Sequence, residues 1–224
     1  MNLADTFFNT SVLADSIGSL LAGFRLTALL GATSLVLATA LGLLLVVLRL
    51  YAVKPLRWAA IALIDVLRAI PLLVLLVIVY YALPFVGLRL PPFWAATAAL
   101  SLVASAYIAE TFRAGIEAVP AGQVEAARAL GLSWPRMMTD IVLPQAIRFT
   151  IPPGTGIAIS LIKDTALASV VAMPDLLKQA TQAQAYYANP TPLIGAAMLY
   201  LLLLLPLVRV VSAIENRASR RGAR

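Results

Sequence analysis

LTALLGATSLVLATALGLLLVVL, residues 26–48, is uncharged from end to end and is bracketed by Arg25 and Arg49. A helix of about 20 apolar residues crosses the hydrocarbon core of a bilayer, so this run predicts a transmembrane helix. Thr27, Gly31, Ser34 and Gly42 place small side chains among the large ones, which suits close packing against neighbouring helices. The rest of the chain is of the same kind. Of its 224 residues, 62% are hydrophobic and only 12% are charged, about half the charged share of a soluble domain. Too few polar side chains remain to cover a soluble surface of that size. The apolar stretches are continuous rather than alternating, which excludes a barrel, and helices are then what satisfies the backbone in lipid. The expected fold class is all-α integral membrane protein, one transmembrane domain over 1–224.

On the N-terminal side of that run, Leu13, Ile17, Leu20, Leu21 and Phe24 recur at helical spacing with Asp15, Ser16 and Ser19 between them. This predicts an interfacial helix before the first span, with a simple extension of that span as the alternative. No basic segment precedes the first apolar run, and further spans follow it, so no cleavable signal peptide is expected.

On the other side, Arg49, Lys54 and Arg57 make a short basic loop before a second span over about 58–83. Asp65 and Arg68, three residues apart near its basic end, can pair on one face, and Pro71 is expected to kink it. Residues 84–92 are a turn-rich loop with Arg89 as its one charge. The third span, about 93–112, is rich in Ala and Ser and is expected to pack centrally. Glu110 and Arg113 at its end are expected to form an ion pair. A fourth span, about 149–173, holds Pro152-Pro153-Gly154-Thr155-Gly156, expected to break the helix at membrane depth, where open backbone is tolerated only against protein or a water-filled cavity. Lys163 and Asp164 follow, with fourteen uncharged residues before them and ten after. Charges at that depth mark either a functional pathway or a structural pair with another helix; being adjacent, the two point to separate partners. Residues 174–189 are polar and read as an external helix and loop. A fifth span, about 192–208, leads to Arg209, Arg217, Arg220, Arg221 and Arg224.

These charges set the topology. Arg49, Lys54, Arg57, Arg128, Arg136 and the basic tail fall on one side, and Arg25, Arg89 and Lys178 on the other. Five spans and the excess of cytoplasmic Lys and Arg predict an external N-terminus and a cytoplasmic C-terminus. The net charge of +7 is accounted for in this way, and no aromatic or motif context makes the tail a nucleic-acid binder. With no Cys and no His, thiol chemistry and most transition-metal sites are excluded.

The polar interruption at 117–140 then lies in the cytoplasm. Residues 123–130 are good helix formers, Gly131 supplies a left-handed terminator, and Ser133 stands where it can cap a second short helix with Pro135 in its first turn. Ala126, Ala127 and Leu130 are expected on one face, beside Glu125 and Arg128, small enough to enter a groove on a partner. An ordinary linker helix is the other reading of the same residues.

Glu125-Ala126-Ala127, then Gly131, then Ile141-Val142-Leu143-Pro144 resembles the coupling loop (the "EAA" motif) of ATP-binding cassette (ABC) importer permeases. Gly122-Gln123 before it and Gln145-Ala146 after it resemble the polar amino acid subfamily, the histidine, glutamine and arginine permeases. Further segments are similar to that subfamily: Asp65-x-x-Arg68-x-x-Pro71-Leu72-Leu73, Ala106-Tyr107-Ile108-Ala109-Glu110, Lys163-Asp164-Thr165-Ala166-Leu167 and Pro174-Asp175-Leu176-Leu177. Two positions depart from it: Ala69-Ile70 where Gly-Thr is usual, and Gly156-Ile157 where many relatives have Asn-Glu. The second departure removes a side chain that could face substrate.

The resemblance implies a five-helix type I ABC importer permease in the bacterial inner membrane, moving a polar amino acid or similar solute by alternating access. Gln123, Glu125, Ala126, Ala127, Leu130, Gly131 and Leu132 are then the expected contact with a separate ATP-binding cassette ATPase. Lys163, Asp164, Thr155 and Gly156 are the expected pathway, with 153–156 giving backbone freedom. The implied partners are that ATPase, a second permease subunit (identical or paralogous), an extracytoplasmic substrate-binding protein and the lipid bilayer, with no nucleic acid. The chain has no Gly-x-x-x-x-Gly-Lys-Ser/Thr phosphate loop. It is expected not to be an enzyme and to bind no cofactor, with ATP and Mg2+ held by the ATPase. An ion-coupled secondary transporter is the competing reading, since it too uses broken helices and midplane charges; the short chain, the odd number of spans and the coupling-loop motif argue against it. A membrane-embedded enzyme is weaker, for want of His, Cys or a paired acidic motif.

Overall fold

The computed structural model describes residues 3–222, the side chains of Ala4, Val210 and 214–222 excepted. All regular elements among the described residues are helical: α1 Leu3–Phe7, α2 Thr10–Tyr51, α3 Lys54–Ala69, α4 Leu72–Val77, α5 Pro92–Glu117, α6 Ala121–Ala129, α7 Trp134–Met137, α8 Leu143–Asp164, α9 Leu176–Tyr187 and α10 Thr191–Gly222. Four described segments are long and apolar enough to cross a membrane, and a fifth if the broken pair Lys54–Ala69 and Leu72–Val86 is one span.

The first span differs from the sequence expectation. Asn9 starts α2, its Oδ1 accepting the backbone N–H of Ser11 (3.1 Å) and of Val12 (3.2 Å), a side-chain cap on two orphan donors. The helix then runs 42 residues without a break, so the N-terminal segment extends the first span. Its polar residues are absorbed locally: Ser16 Oγ donates to the Val12 carbonyl (2.7 Å) and Ser19 Oγ to that of Ser16 (2.9 Å). The second span does more than kink. Pro71 is extended (φ −60°, ψ 130°), so the helix stops at Ala69 and restarts at Leu72. It ends through a π turn, Ile78–Ala82, and a 3-10 turn, Leu83–Val86, closed by left-handed Gly87.

The fourth span corrects another expectation. The helix continues through Pro152 and Pro153. These prolines leave the Arg148 and Phe149 carbonyls without their intrahelical donors, both at exposed residues, while Thr155 Oγ1 donates to the Pro152 carbonyl (2.6 Å). The departure from α geometry comes after Lys163-Asp164, where Thr165–Val171 tightens into a 3-10 helix ended by Ala172 at φ 58°. Arg209 lies within α10, and the side chains of Arg217, Arg220, Arg221 and Arg224 lie outside the described residues.

The chain divides into two compact units. One gathers the residues up to Val36 with Ile70–Ser101 and Ile159–Val208. Its core sets the fully buried Ala95, Ala96 and Ala99 of α5 against Leu30, Leu76 and Val171, and Ser101 Oγ donates to the Ser34 carbonyl (3.1 Å). Residues 174–189 belong to this core: Leu176 and Ala180 are buried with Leu20 and Ala196, and a Cβ at Gly23 would stand 2.9 Å from the Asp175 carbonyl oxygen. The other unit gathers Leu37–Ala69, Leu102–Ala158 and the residues from Arg209. There α2 meets α5 at Gly42 and α5 meets α8 at Gly115, each glycine against backbone carbonyl oxygen.

Candidate functional site

The residues 117–142 fold into a short helical hairpin. After α6, the Leu132 N–H donates to the Ala127 carbonyl (3.1 Å) and the Gly131 N–H to that of Arg128 (3.0 Å). With Gly131 at φ 71° this is a Schellman termination. Ser133 is extended and its carbonyl accepts the Met137 N–H (2.9 Å), but its hydroxyl makes no capping bond to α7. Backbone geometry and Pro135 start that helix, so the expected side-chain cap is absent. A π turn, Met138–Val142, carries α7 into α8.

Ala127 is 1% exposed and packs with Val119, Met137, Met138, Val142 and Ala146, with Leu132 at the edge of the cluster. Leu130 is 80% exposed. The expectation that Ala126, Ala127 and Leu130 share one face is therefore corrected. Ala127 holds the helix down, while Gln123, Ala126 and Leu130, spaced three and four apart, present an open face with Glu125 beside it. Two anchors escaped the sequence reading. Tyr51, at the end of α2, sets its ring edge-on to Trp134 (5.2 Å between centroids) and directs its hydroxyl at Met138 Sδ (3.9 Å). Aromatic residues at both places were the available signal, but nothing in their spacing, 83 positions apart, joins them.

Close by in the same unit, Glu110 collects arginines. Oε2 accepts from Arg113 Nη2 (2.9 Å) and Nε (3.1 Å), and Oε1 accepts from Arg49. Arg113 also pairs with Glu117. Arg68 comes within 3.9 Å of Glu110, and its guanidinium sits 5.7 Å from the centre of the Tyr107 ring. The expected Asp65–Arg68 pair does not form: the two lie on one helix, but Arg68 turns to Glu110, and Asp65 has no ion pair among the described residues. Arg68, Tyr107, Glu110, Arg113, Phe149 and Pro153 line an open cleft of about 460 Å³.

Along α8, Phe149, Pro153, Gly156, Ser160 and Lys163 recur at four- and three-residue spacing and are all exposed. A Cβ at Gly154 or Gly156 would meet nothing within 4 Å. Lys163 is exposed, Asp164 is half-buried, and neither forms a salt bridge among the described residues. Thr155 spends its hydroxyl on the Pro152 carbonyl. No group of three or more His, Cys, Asp or Glu side chains that could hold a metal occurs among the described residues.

Residues 35–220 match the family described as binding-protein-dependent transport system inner membrane component. The chain is 38% identical over 213 residues to a probable glutamine ABC transporter permease, GlnM, of Bacillus subtilis (strain 168), covering 95% of this chain and 99% of that one. It is 36% identical to the arginine transport system permease ArtQ of the same organism, covering 92% and 95%. Among solved structures it superposes on a chain from the crystal structure of an amino acid ABC transporter with histidines, with TM-score 0.86 and 33% identity, over 92% of this chain and 96% of that chain.

Proposed function

This chain belongs to the family of binding-protein-dependent transport system inner membrane components, and from that premise we propose that it admits a polar amino acid, or an amino-acid-like solute, to the cytoplasm by alternating access. It is an ABC importer permease of the type I fold and a multi-pass membrane protein. The observation that carries the mechanism is the divided surface of α6, with Ala127 buried to the hilt and Gln123, Ala126 and Leu130 left open. A helix held on one side and bare on the other can be pushed as a rigid piece. Gln123, Glu125, Ala126 and Leu130 dock in a groove of a separate ATPase, which holds the ATP and Mg2+; Ala127, Gly131 and Leu132 keep the docking helix in shape. Closure of the ATPase on nucleotide drives the hairpin, and α8 moves with it through Met138–Val142.

Two permease subunits, identical or paralogous, line one pathway, and an external substrate-binding protein delivers the solute. The N-terminus is external and the 117–140 hairpin cytoplasmic, in keeping with the excess of arginine on that side. The open stripe of α8 is the pathway wall of this subunit, with Lys163 and Asp164 its charged groups and Gly156 leaving room for the solute. Neutralising Lys163 or Asp164 with full uptake retained in a well-folded complex would remove those two from the pathway. The chain catalyses no reaction itself.

The test is ATPase activity of the chain coexpressed with its ATP-binding subunit, wild type against Glu125→Arg. A wild-type complex that the charge reversal uncouples or disassembles supports the docking helix. Failure of any ATPase to associate with the wild-type chain overturns it, and ion-gradient-driven flux in liposomes is then the measurement to make.

A further inference from the structure

The Glu110 cluster has more positive charge than its carboxylates use. Arg49 takes one oxygen of Glu110, Arg113 takes the other, and Arg113 also takes Glu117. Three arginines thus face two carboxylates. Arg68 is the one that lies in ion-pair range of Glu110 without a hydrogen bond to it. Its nearest carboxylate oxygen is 3.9 Å away, beyond hydrogen-bond distance, and its guanidinium donates no hydrogen bond among the described residues. Tyr107 flanks the guanidinium, and the Tyr107 hydroxyl donates to the Arg68 backbone carbonyl (3.4 Å). The side chain keeps 41% of its surface open. It stands in the 460 Å³ cleft, opposite a wall made by Phe149 and Pro153. Those two residues begin the exposed stripe of α8.

A guanidinium flanked by an aromatic ring and with unused donors is matched to a planar pair of anionic oxygens. We propose that this cleft is a carboxylate-binding site for an amino acid, with Arg68 as the group that grips the α-carboxylate and Tyr107 and Phe149 as its walls. The identity of the ligand rests on the transport function proposed above. The site lies at the hairpin end of α5, so in that orientation it is the last anchoring point before the cytoplasm. Arg113 and Arg49 raise the local positive potential but are already engaged, which leaves recognition to Arg68.

The chain has no native cysteine, which makes a reporter thiol clean. Ala118, exposed on the cleft wall, is changed by Ala118→Cys in the purified permease–ATPase complex in phosphatidylcholine nanodiscs, and modification is read on the permease chain. The anionic sulfonatoethyl methanethiosulfonate is expected to react roughly tenfold faster, relative to free thiol, than its cationic trimethylammonium counterpart. L-Glutamine or L-arginine at millimolar concentration is expected to slow the reaction at least severalfold, whereas 4-aminobutanamide, which is glutamine without its carboxylate, leaves it unchanged. Arg68→Gln should abolish both the anion preference and the protection. Arg68→Lys should keep the preference and lose most of the protection, because it keeps the charge without the fork. Equal reagent rates in Ala118→Cys with Arg68 intact, protection that survives Arg68→Gln, or no protection by either amino acid overturns the proposal. Protection by phosphatidylglycerol in the nanodisc without protection by amino acids also overturns it, and makes the cleft a lipid-phosphate site. ATP-driven uptake by the same complex, reconstituted in phosphatidylcholine liposomes with its substrate-binding protein, is measured alongside. Protection without uptake leaves the cleft standing and removes the transport reading, and uptake without protection does the reverse.

Discussion

Asp175 is the most confined charge-bearing residue in the described structure: it is fully buried, its Oδ1 accepts the Lys178 N–H (3.1 Å) to cap α9, and its Oδ2 has no partner. Burial pushes its carboxyl up from an ordinary 3.8 to about 6, partly offset by backbone N–H groups and by Lys178. An acid whose pKa is raised on folding favours the native state while protonated, so this stabilisation is complete below about pH 4 and is lost as pH rises through 6. A rise from 3.8 to about 6 corresponds to roughly 3 kcal/mol. The thermal midpoint of the purified protein is expected to fall between pH 4.5 and 7.5 by more in the wild type than in Asp175→Asn, which keeps a capping oxygen and removes the titration. Equal slopes would show that Asp175 does not titrate in that range. Glu110 gives a second expectation. It is 15% exposed and satisfies two arginines by hydrogen bonds, whereas Glu117 is 60% exposed. Glu110→Gln should therefore cost about 3 kcal/mol, since it leaves Arg49 half-buried and unpaired while Arg113 keeps Glu117, against less than about 1 kcal/mol for Glu117→Gln; denaturation of the two variants decides this. At this scale the sequence was half legible. Three-residue spacing joined Glu110 to Arg113, but Arg49 enters from another helix, and local spacing pointed Arg68 at Asp65 when the tertiary partner was Glu110.

The elements were legible in kind and less so in their ends. Hydrophobic run length pointed to the four long apolar segments and to the broken pair Lys54–Ala69 and Leu72–Val86, because lipid imposes it. It did not show that α2 absorbs the polar N-terminal turns, since Ser16 and Ser19 can bond their own helix as readily as water. Nor did proline content alone locate the breaks. Pro71 interrupts a helix, and Pro152-Pro153 does not. The close approaches of helices rest on single glycines. A Cβ at Gly115 would stand 2.8 Å from the Ala146 carbonyl oxygen, a backbone atom that cannot step aside without α8. Gly154 meets nothing within 4 Å although it too lies inside a helix. Gly115→Ala is expected to destabilise by about 1–3 kcal/mol through overpacking, and Gly154→Ala to stabilise by roughly 0.5–1 kcal/mol through helix propensity. Opposite shifts in thermal midpoint, measured in one detergent, check the pair; a neutral Gly115→Ala would mean that α5 and α8 tolerate separation.

For the molecule as a whole, the question is which of its exposed apolar residues face lipid and which face a protein. Composition cannot separate them, because a leucine against an acyl chain and a leucine against a partner have the same sequence. Leu130 is the informative case. It lies in a polar hairpin rather than in a span, at 80% exposure, three positions from a fully buried alanine. An ATPase groove that buries it gains about 2 kcal/mol, roughly thirtyfold in affinity. Leu130→Asp should therefore leave the thermal midpoint of the isolated chain unchanged and weaken capture of the ATPase by about that factor. Ala127→Asp should do the opposite in order: it places a charge in the cluster of Met137, Met138 and Val142 and lowers the stability of the chain before any partner is added. Titrating each purified variant with the ATPase, with the unfolding midpoint measured in parallel, separates the two roles. If Leu130→Asp binds the ATPase as tightly as wild type, the open face of α6 is not the docking face and the partner must engage the hairpin elsewhere.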